Sequence, residues 1–226
     1  MRADLYDVNM IFLLHLSGSC KMRKIVGMLV VIASVSGCAT SSVDYRPPSG
    51  TTIINSKKVS KDFDGAWNDL VRQLSSDFFV INNIDKSSRL INVSFSTSHP
   101  SDYIDCGSTT RKFSNAHGEQ VYNYVTANSS QFAVVNRQHV GFNGTRTTKL
   151  QGRVNVYVAP TQGGTEISVN SKYVFTVDFN AVGFDGSPGG SQTGTYDFST
   201  KSPHSSPQLT CFAKGTLESK ILDMVM

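Results

Sequence analysis

Charge is scarce in this chain. Only 17% of its 226 residues are Asp, Glu, Lys or Arg, and the formal balance is +4. Residues 1–37 hold +2 of that excess, which leaves +2 on everything after them. So weak and scattered a positive balance argues against a nucleic-acid partner, which needs basic side chains gathered on one face. Long apolar runs are missing too. The stretch Ile25 to Val35 falls well short of the roughly 20 apolar residues that cross a bilayer as a helix. The familiar catalytic spacings are also absent. There is no CxxC, no HExxH and no GxSxG, and His15, His99, His117, His139 and His204 include no pair at i, i+4. The glycines of 183–190 are not followed by Lys-Ser or Lys-Thr, so a phosphate-cradling loop is not expected there. Asp102 and Asp105 flank Tyr103, but two carboxylates in a loop are the only hint of acid–base chemistry. We therefore expect no catalytic residues, no metal and no cofactor, and a protein that is not an enzyme.

What is present begins at Met22. Arg23 and Lys24 precede the apolar run, and small residues close it in Val35-Ser36-Gly37-Cys38. A basic start, an apolar middle and a small-residue end make an export signal. Val35, Ser36 and Gly37 would fit the peptidase groove. The four residues resemble the lipobox of bacterial lipoproteins, in which the cysteine thiol receives a diacylglyceryl group before cleavage. The resemblance implies that Cys38 is lipidated and becomes the first residue of the mature protein. Each buried CH₂ of an acyl chain contributes about 0.8 kcal/mol, and one chain alone holds only marginally. The multiple acyl chains usual in such lipoproteins, palmitate among them, make a firm anchor. Ala39 follows where an aspartate would retain the protein at the inner membrane, so the expected location is the periplasmic leaflet of the outer membrane. Upstream, Asp4 and Asp7 precede the apolar Met10–Leu16, the wrong charge for a leader. Residues 1–37 read as an upstream extension plus signal peptide with its true start at Met22, and His15 and Cys20 then have no role.

After Cys38 the chain divides into a lipidated tether, 38–50, and a single α+β domain, 51–226. Pro47-Pro48 and Gly50 stiffen and end the tether. In 60–77, Phe63, Trp67, Leu70, Val71 and Leu74 form one apolar stripe at helical spacing, with Ser60 or Asp62 as cap. Strands are expected at 78–84 and 89–97 around the turn "DKSS", then at 119–128 and 131–140 as a second hairpin around Asn128-Ser129-Ser130, with turns over 98–118. The alternation is clearest in Leu150, Gly152, Val154, Val156 and Val158, and in Ile167, Val169, Tyr173, Phe175, Val177 and Phe179, with Ser171 in the same register. One dry and one wet face is the pattern of an antiparallel sheet covered on a single side. Residues 183–208 read as loop with a short strand near Tyr196–Phe198. Leu217, Ile221 and Met224 or Val225 make a closing helix over 216–225, capped by Thr216. The fold class is α+β, a curled antiparallel sheet packed on an N-terminal and a C-terminal helix.

Cys106 and Cys211 remain. In an exported domain two leftover cysteines usually pair. Neither has a histidine within four residues, which disfavours a metal or redox site. The closed loop of about 105 residues would stabilise by up to roughly 4.7 kcal/mol in the chain-entropy model.

Taken together, the lipobox, "DFDGAWNDLVRQL", "FFVINNIDKSSRLINVSF" and the closing amphipathic helix resemble the small helix-grip lipoproteins of proteobacterial outer membranes. Domains of this kind occur in the C lipoprotein of the β-barrel assembly machinery, and "DCG" at 105–107 with "CFAKGTLE" at 211–218 resembles paired segments of other envelope lipoproteins. This chain differs in having one such domain and a cysteine pair, so no functional residue transfers. The resemblance implies a lipid-anchored, periplasm-facing binding or envelope-assembly module. Its partners would be the membrane, through the acyl groups, and other envelope proteins. The alternative is a carrier of a small apolar ligand, held in a cavity between sheet and helix.

Overall fold

A computed structural model describes residues 39–225. Its spine is a hairpin of two very long strands, β9 (Gly141–Thr161) and β10 (Gly164–Gly183). At about 3.3 Å per residue each extends some 65 Å. Their turn is tight because Thr161 pairs with Gly164. Gly164 has φ 153°, and a Cβ there would lie 2.0 Å from the Val59 carbonyl oxygen, so no other residue fits. The alternation seen in the sequence runs the whole length. Every even position from Phe142 to Val158 and every odd position from Thr165 to Gly183 is buried, all on one face.

Shorter strands flank this spine, and each is antiparallel to its neighbour. On β9, β4 (Leu90–Thr97) pairs with 150–157 and β8 (Ser130–Val135) with 141–146. On β10, β2 (Ser56–Val59) pairs with 165–168 and β11 (Pro188–Ser199) with 172–182. β3 (Val80–Asp85) completes the order β11-β10-β9-β4-β3, a sheet that does not close on itself. The architecture is α+β, with antiparallel sheet predominating and two helices.

Two different covers lie on the dry face. At the hairpin-turn end the cover is α1 (Phe63–Ser76), α2 (Thr216–Leu222) and a small sheet of β12 (His204–Ser205), β13 (Thr210–Ala213) and β5 (Ile104–Asp105). α1 starts where the Asp62 carboxylate accepts from the Gly65 amide at 3.0 Å. It turns Ala66, Trp67, Leu70 and Leu74 inward against Ile91, Val93, Val154 and Val156. At the far end the cover is a second sheet, order β1-β6-β7, from β1 (Thr40–Arg46), β6 (Ser108–Asn115) and β7 (Gly118–Val125). There Phe132, Phe142, Phe179 and Ala181 meet Tyr122 and Tyr124.

Several expectations need correction. Thr40–Arg46 is not a free tether: it is β1, in register with 108–114 of β6. The Tyr45 hydroxyl accepts from the Thr210 amide at 2.9 Å, and Asn55 bonds the Val169 carbonyl, so this segment folds back on the domain. Within 98–118, Ser108–Asn115 is a strand. Strands 7 and 8 do not form a hairpin with each other. β7 pairs with β6 and β8 with β9, because the chain crosses from one sheet to the other at 126–129. The middle of 183–208 is β11, twelve residues long and not a short strand near Tyr196–Phe198. It lacks apolar alternation because it is an edge strand held by its ladder to β10. The cap of α2 is Gly215 with φ 79°, without a side-chain hydrogen bond from Thr216.

Candidate functional site

The wet face of the main sheet is hollowed into a groove of about 870 Å³ across β4, β9, β10 and β11. Strand register builds it. Ser94 pairs with Arg153, Arg153 with Lys172, and in the next row Ser96 pairs with Gln151 and Val174 with Asp197. Arg153 and Lys172 stand directly opposite, an arrangement of like charges that costs stability. Both are exposed, and among the described residues neither makes an ion pair. Lys149 adds a third cation on the same face, two positions along β9 from Gln151. The groove also carries the Asp197 carboxylate and the apolar Phe78 and Val80; its two cations, Arg153 and Lys172, neither held in an ion pair among the described residues, can bind an anionic, extended segment through charge-assisted hydrogen bonds.

Beneath the sheet lies a buried polar cluster. Glu218, fully buried in the first turn of α2, accepts at Oε1 from Tyr173 Oη at 3.1 Å and from Thr200 Oγ1 at 2.7 Å. Thr200 Oγ1 in turn accepts from the Ser171 amide at 2.8 Å. Among the described residues Glu218 Oε2 has no hydrogen-bond partner. Burial, and then the adjacent carboxylate, push the Tyr173 phenol well above its ordinary range. It is therefore a fixed hydrogen-bond donor and not an acid–base group.

Two guanidinium groups lie between the main sheet and its far cover. Arg146 is 3% exposed and donates to the carbonyls of Asn128 at 2.6 Å and Thr126 at 2.7 Å. Desolvation pushes it down to about 10. Arg111 lies 4.3 Å over the Phe132 ring and its Nε donates to Tyr124 Oη at 2.9 Å. Phe132 stacks between Tyr124 and Phe179, at 5.6 and 5.8 Å. By holding the two carbonyls, Arg146 turns the chain at the crossing between the sheets.

Of the residues expected from sequence, Cys106 and Cys211 form a disulfide with Cα atoms 4.2 Å apart. It binds the start of β6 to β13, beside the pairs Phe212–Asp105 and Ala213–Ile104. Val35, Ser36, Gly37 and Cys38 lie outside the described residues, as do His15 and Cys20. His99, His117, His139 and His204 fall in separate turns and strands, and among the described residues no three His, Cys, Asp or Glu side chains gather as a metal site would need. Asp105 Oδ1 is taken up by the Gly107 amide at 2.8 Å. Sequence reasoning missed Arg153, Lys172, Glu218 and Arg146 as site residues. Extending the alternation of β9 backwards from Leu150 would have placed Thr148 and Arg146 on the dry face. Nothing in one sequence marks Arg153 opposite Lys172, since that depends on register.

No family model matches the chain, and no curated protein and no solved structure is significantly similar to it.

Proposed function

We propose that this chain is a lipid-anchored, non-enzymatic binding module of the bacterial envelope. It is held by acyl groups on Cys38 at the periplasmic leaflet of the outer membrane, and its domain is of the helix-grip kind. The lipobox-like Val35-Ser36-Gly37-Cys38 supports the anchor. The observation that carries the binding role is the open polar face: a groove of about 870 Å³ in which Arg153 and Lys172 face each other unpaired. Natural sheets avoid directly opposed like charges, so the pair is best explained by an anionic partner. The chemistry that fits is an extended acidic segment of another envelope protein. The carrier alternative needs apolar space between α1 and the sheet. Trp67, Leu70, Leu74 and Ile91, all 4% exposed or less, fill that position, so we favour the binding module.

The test is photocrosslinking in cells from a reactive side chain at Gln151, combined with Arg153→Glu and Lys172→Glu. We expect one envelope protein to be captured at Gln151 and lost on double charge reversal, with the chain still in the membrane fraction. Capture that survives the reversal would remove the role of the cations. A Cys38→Ser chain that still fractionates with membranes through washing would remove the anchor.

A further inference from the structure

Ala39, the residue bonded to Cys38, is held in the folded body. Ala39 is 8% exposed, buried with Phe113 and Ala133. Its carbonyl oxygen lies 3.0 Å from His139 Nδ1, within reach of an N–H donor there. Thr40 is already in register with Ser114. The Cα of residue 38 is only about 3.8 Å from that of Ala39, so no slack chain separates the acylated residue from the folded body.

That end of the molecule is where three hydrophobic side chains stand out. Val140 is 51%, Val182 37% and Phe184 54% exposed. Phe184 and Val140 belong together, whereas Val182 lies on the polar face of β10. The Phe184 ring lies across Gly141, where a Cβ would come within 2.4 Å of it, and meets Phe113 edge-on at 5.8 Å. Phe113 is the residue that buries Ala39. Both supporting turns satisfy their own polar groups. In the first, Asn136 Oδ1 accepts from the amides of Gln138 and Val140 at 3.0 and 2.9 Å. In the second, Asp185 Oδ1 accepts from the Ser187 amide and hydroxyl at 2.9 and 2.6 Å, while the Gly183 amide donates to the Ser187 carbonyl at 2.7 Å. Turns bonded internally can meet a poorly hydrated surface without stranding donors.

We infer that this tip, formed by Val140 and Phe184 beside Ala39, is a lipid-contact surface that seats in the headgroup layer of the membrane holding the acyl chains. The inference rests on acylation at Cys38. Given that anchor, the tip cannot leave the bilayer, and its effective concentration there is high without strong affinity of its own. An exposed valine or phenylalanine alone is ordinary. Two side by side where the anchor emerges, one of them a phenylalanine that is 54% exposed, are not. The contact orients the protein: β9 and β10 point away from the membrane, and the acidic-segment groove faces the periplasm.

The test uses the full chain, purified from bacterial membranes in detergent and reconstituted into vesicles of phosphatidylethanolamine with a minority of phosphatidylglycerol, with or without brominated acyl chains. Phe184→Trp and, separately, Val140→Trp place an indole at the tip. Tyr157→Trp, 42% exposed in the native residue, places one far along β9. Trp67 is buried and gives a constant background. Side chains seated some 5–10 Å into the interface should have their emission roughly halved by brominated chains, with no change at position 157. Equal quenching at all three positions would mean the body lies flat, and would overturn the orientation. Blue-shifted but unquenched emission at the tip would mean a protein covers it, and would overturn lipid contact. Mass spectrometry of the mature N-terminus separates the two layers of the argument. Acyl mass with an unquenched tip overturns this inference alone, and no acyl mass overturns the anchor together with it.

Discussion

Glu218 gives the sharpest test of how the sheet holds its last helix. Replacing it with alanine leaves Tyr173 Oη, buried and otherwise raised in pKa by its surroundings, without its carboxylate acceptor. One orphaned buried donor costs about 1–3 kcal/mol. The lost Cγ methylene adds roughly 0.8 kcal/mol. Thr200 suffers less, because its hydroxyl can turn to the Ser171 carbonyl at 3.3 Å. Removing a buried carboxylate with one unpartnered oxygen returns part of that loss. The balance for Glu218→Ala is a destabilisation of about 1–3 kcal/mol. Glu218→Gln keeps the acceptor at Oε1 and removes the charge, so we expect it to stay within about 1 kcal/mol of the parent. For a domain of this size the gap between the two variants is about 4–8 °C in Tm. The assay is urea and thermal unfolding of the purified chain, followed by the emission of Trp67. Pairing Glu218→Ala with Tyr173→Phe in a double-mutant cycle isolates the shared hydrogen bond, with a coupling of about 0.5–3 kcal/mol. Equal losses for Ala and Gln would show that the charge itself holds the helix, and would refute the hydrogen-bond account.

Two further outcomes follow from the same coordinates. Replacing both Cys106 and Cys211 by serine opens a loop of 105 residues and should cost about 2–5 kcal/mol, read as a lower urea midpoint; an unchanged midpoint would mean that β5–β13 pairing alone suffices. The Asp85 carboxyl, bonded by the Ser87 and Ser88 side chains and amides, is lowered to about 2. A depressed folded value stabilises above the unfolded pKa of about 3.9 and is lost as pH falls through the folded value. The turn of the β3–β4 hairpin should therefore loosen between about pH 4 and pH 2. A carboxyl resonance that titrates at the ordinary value would contradict the turn.

The sequence was most legible where side chains and burial agree residue by residue. The inward row of β10, from Ile167 to Phe179, is apolar apart from Ser171, so its face could be read directly. The stripe of α1 and the turn at Asp85 were equally plain, and the cap was narrowed to Ser60 or Asp62, of which Asp62 serves. Legibility failed where strands are made by neighbours and not by their own pattern. β11, "PGGSQTGTYDFS", and β1, "TSSVDYR", are edge strands of small or polar residues, and a ladder to β10 or β6 decides them. The hairpin expected across 119–140 failed because the deciding contact is remote: Arg146 holds the carbonyls of Thr126 and Asn128. The groove was illegible for the same reason, since Arg153 meets Lys172 only through register. Ser171 was the exception on β10's dry face, and it lies beside Thr200 and Glu218 at the buried polar cluster.

The folded β1 changes how the protein would reach its partner. A flexible tether would let the groove sample many heights above a membrane. With Thr40–Arg46 paired into the fold, reach comes from strand length instead. Arg153 is twelve residues along β9 from Gly141, so at about 3.3 Å per residue the groove lies up to some 40 Å from the tip. The distance is set by a ladder shared with β4, β8 and β10 and is therefore rigid. Lengthening both β9 and β10 by two residues each would raise the groove by about 6.6 Å and keep every side chain on its face, but an insertion of one residue would reverse every side chain beyond it. The dry face explains why such a long hairpin can stand at all. Its apolar row is continuous, and two unlike covers, helices at one end and a three-stranded sheet at the other, share its burial. The polar face is left free along the whole length, and that is where a partner would meet it.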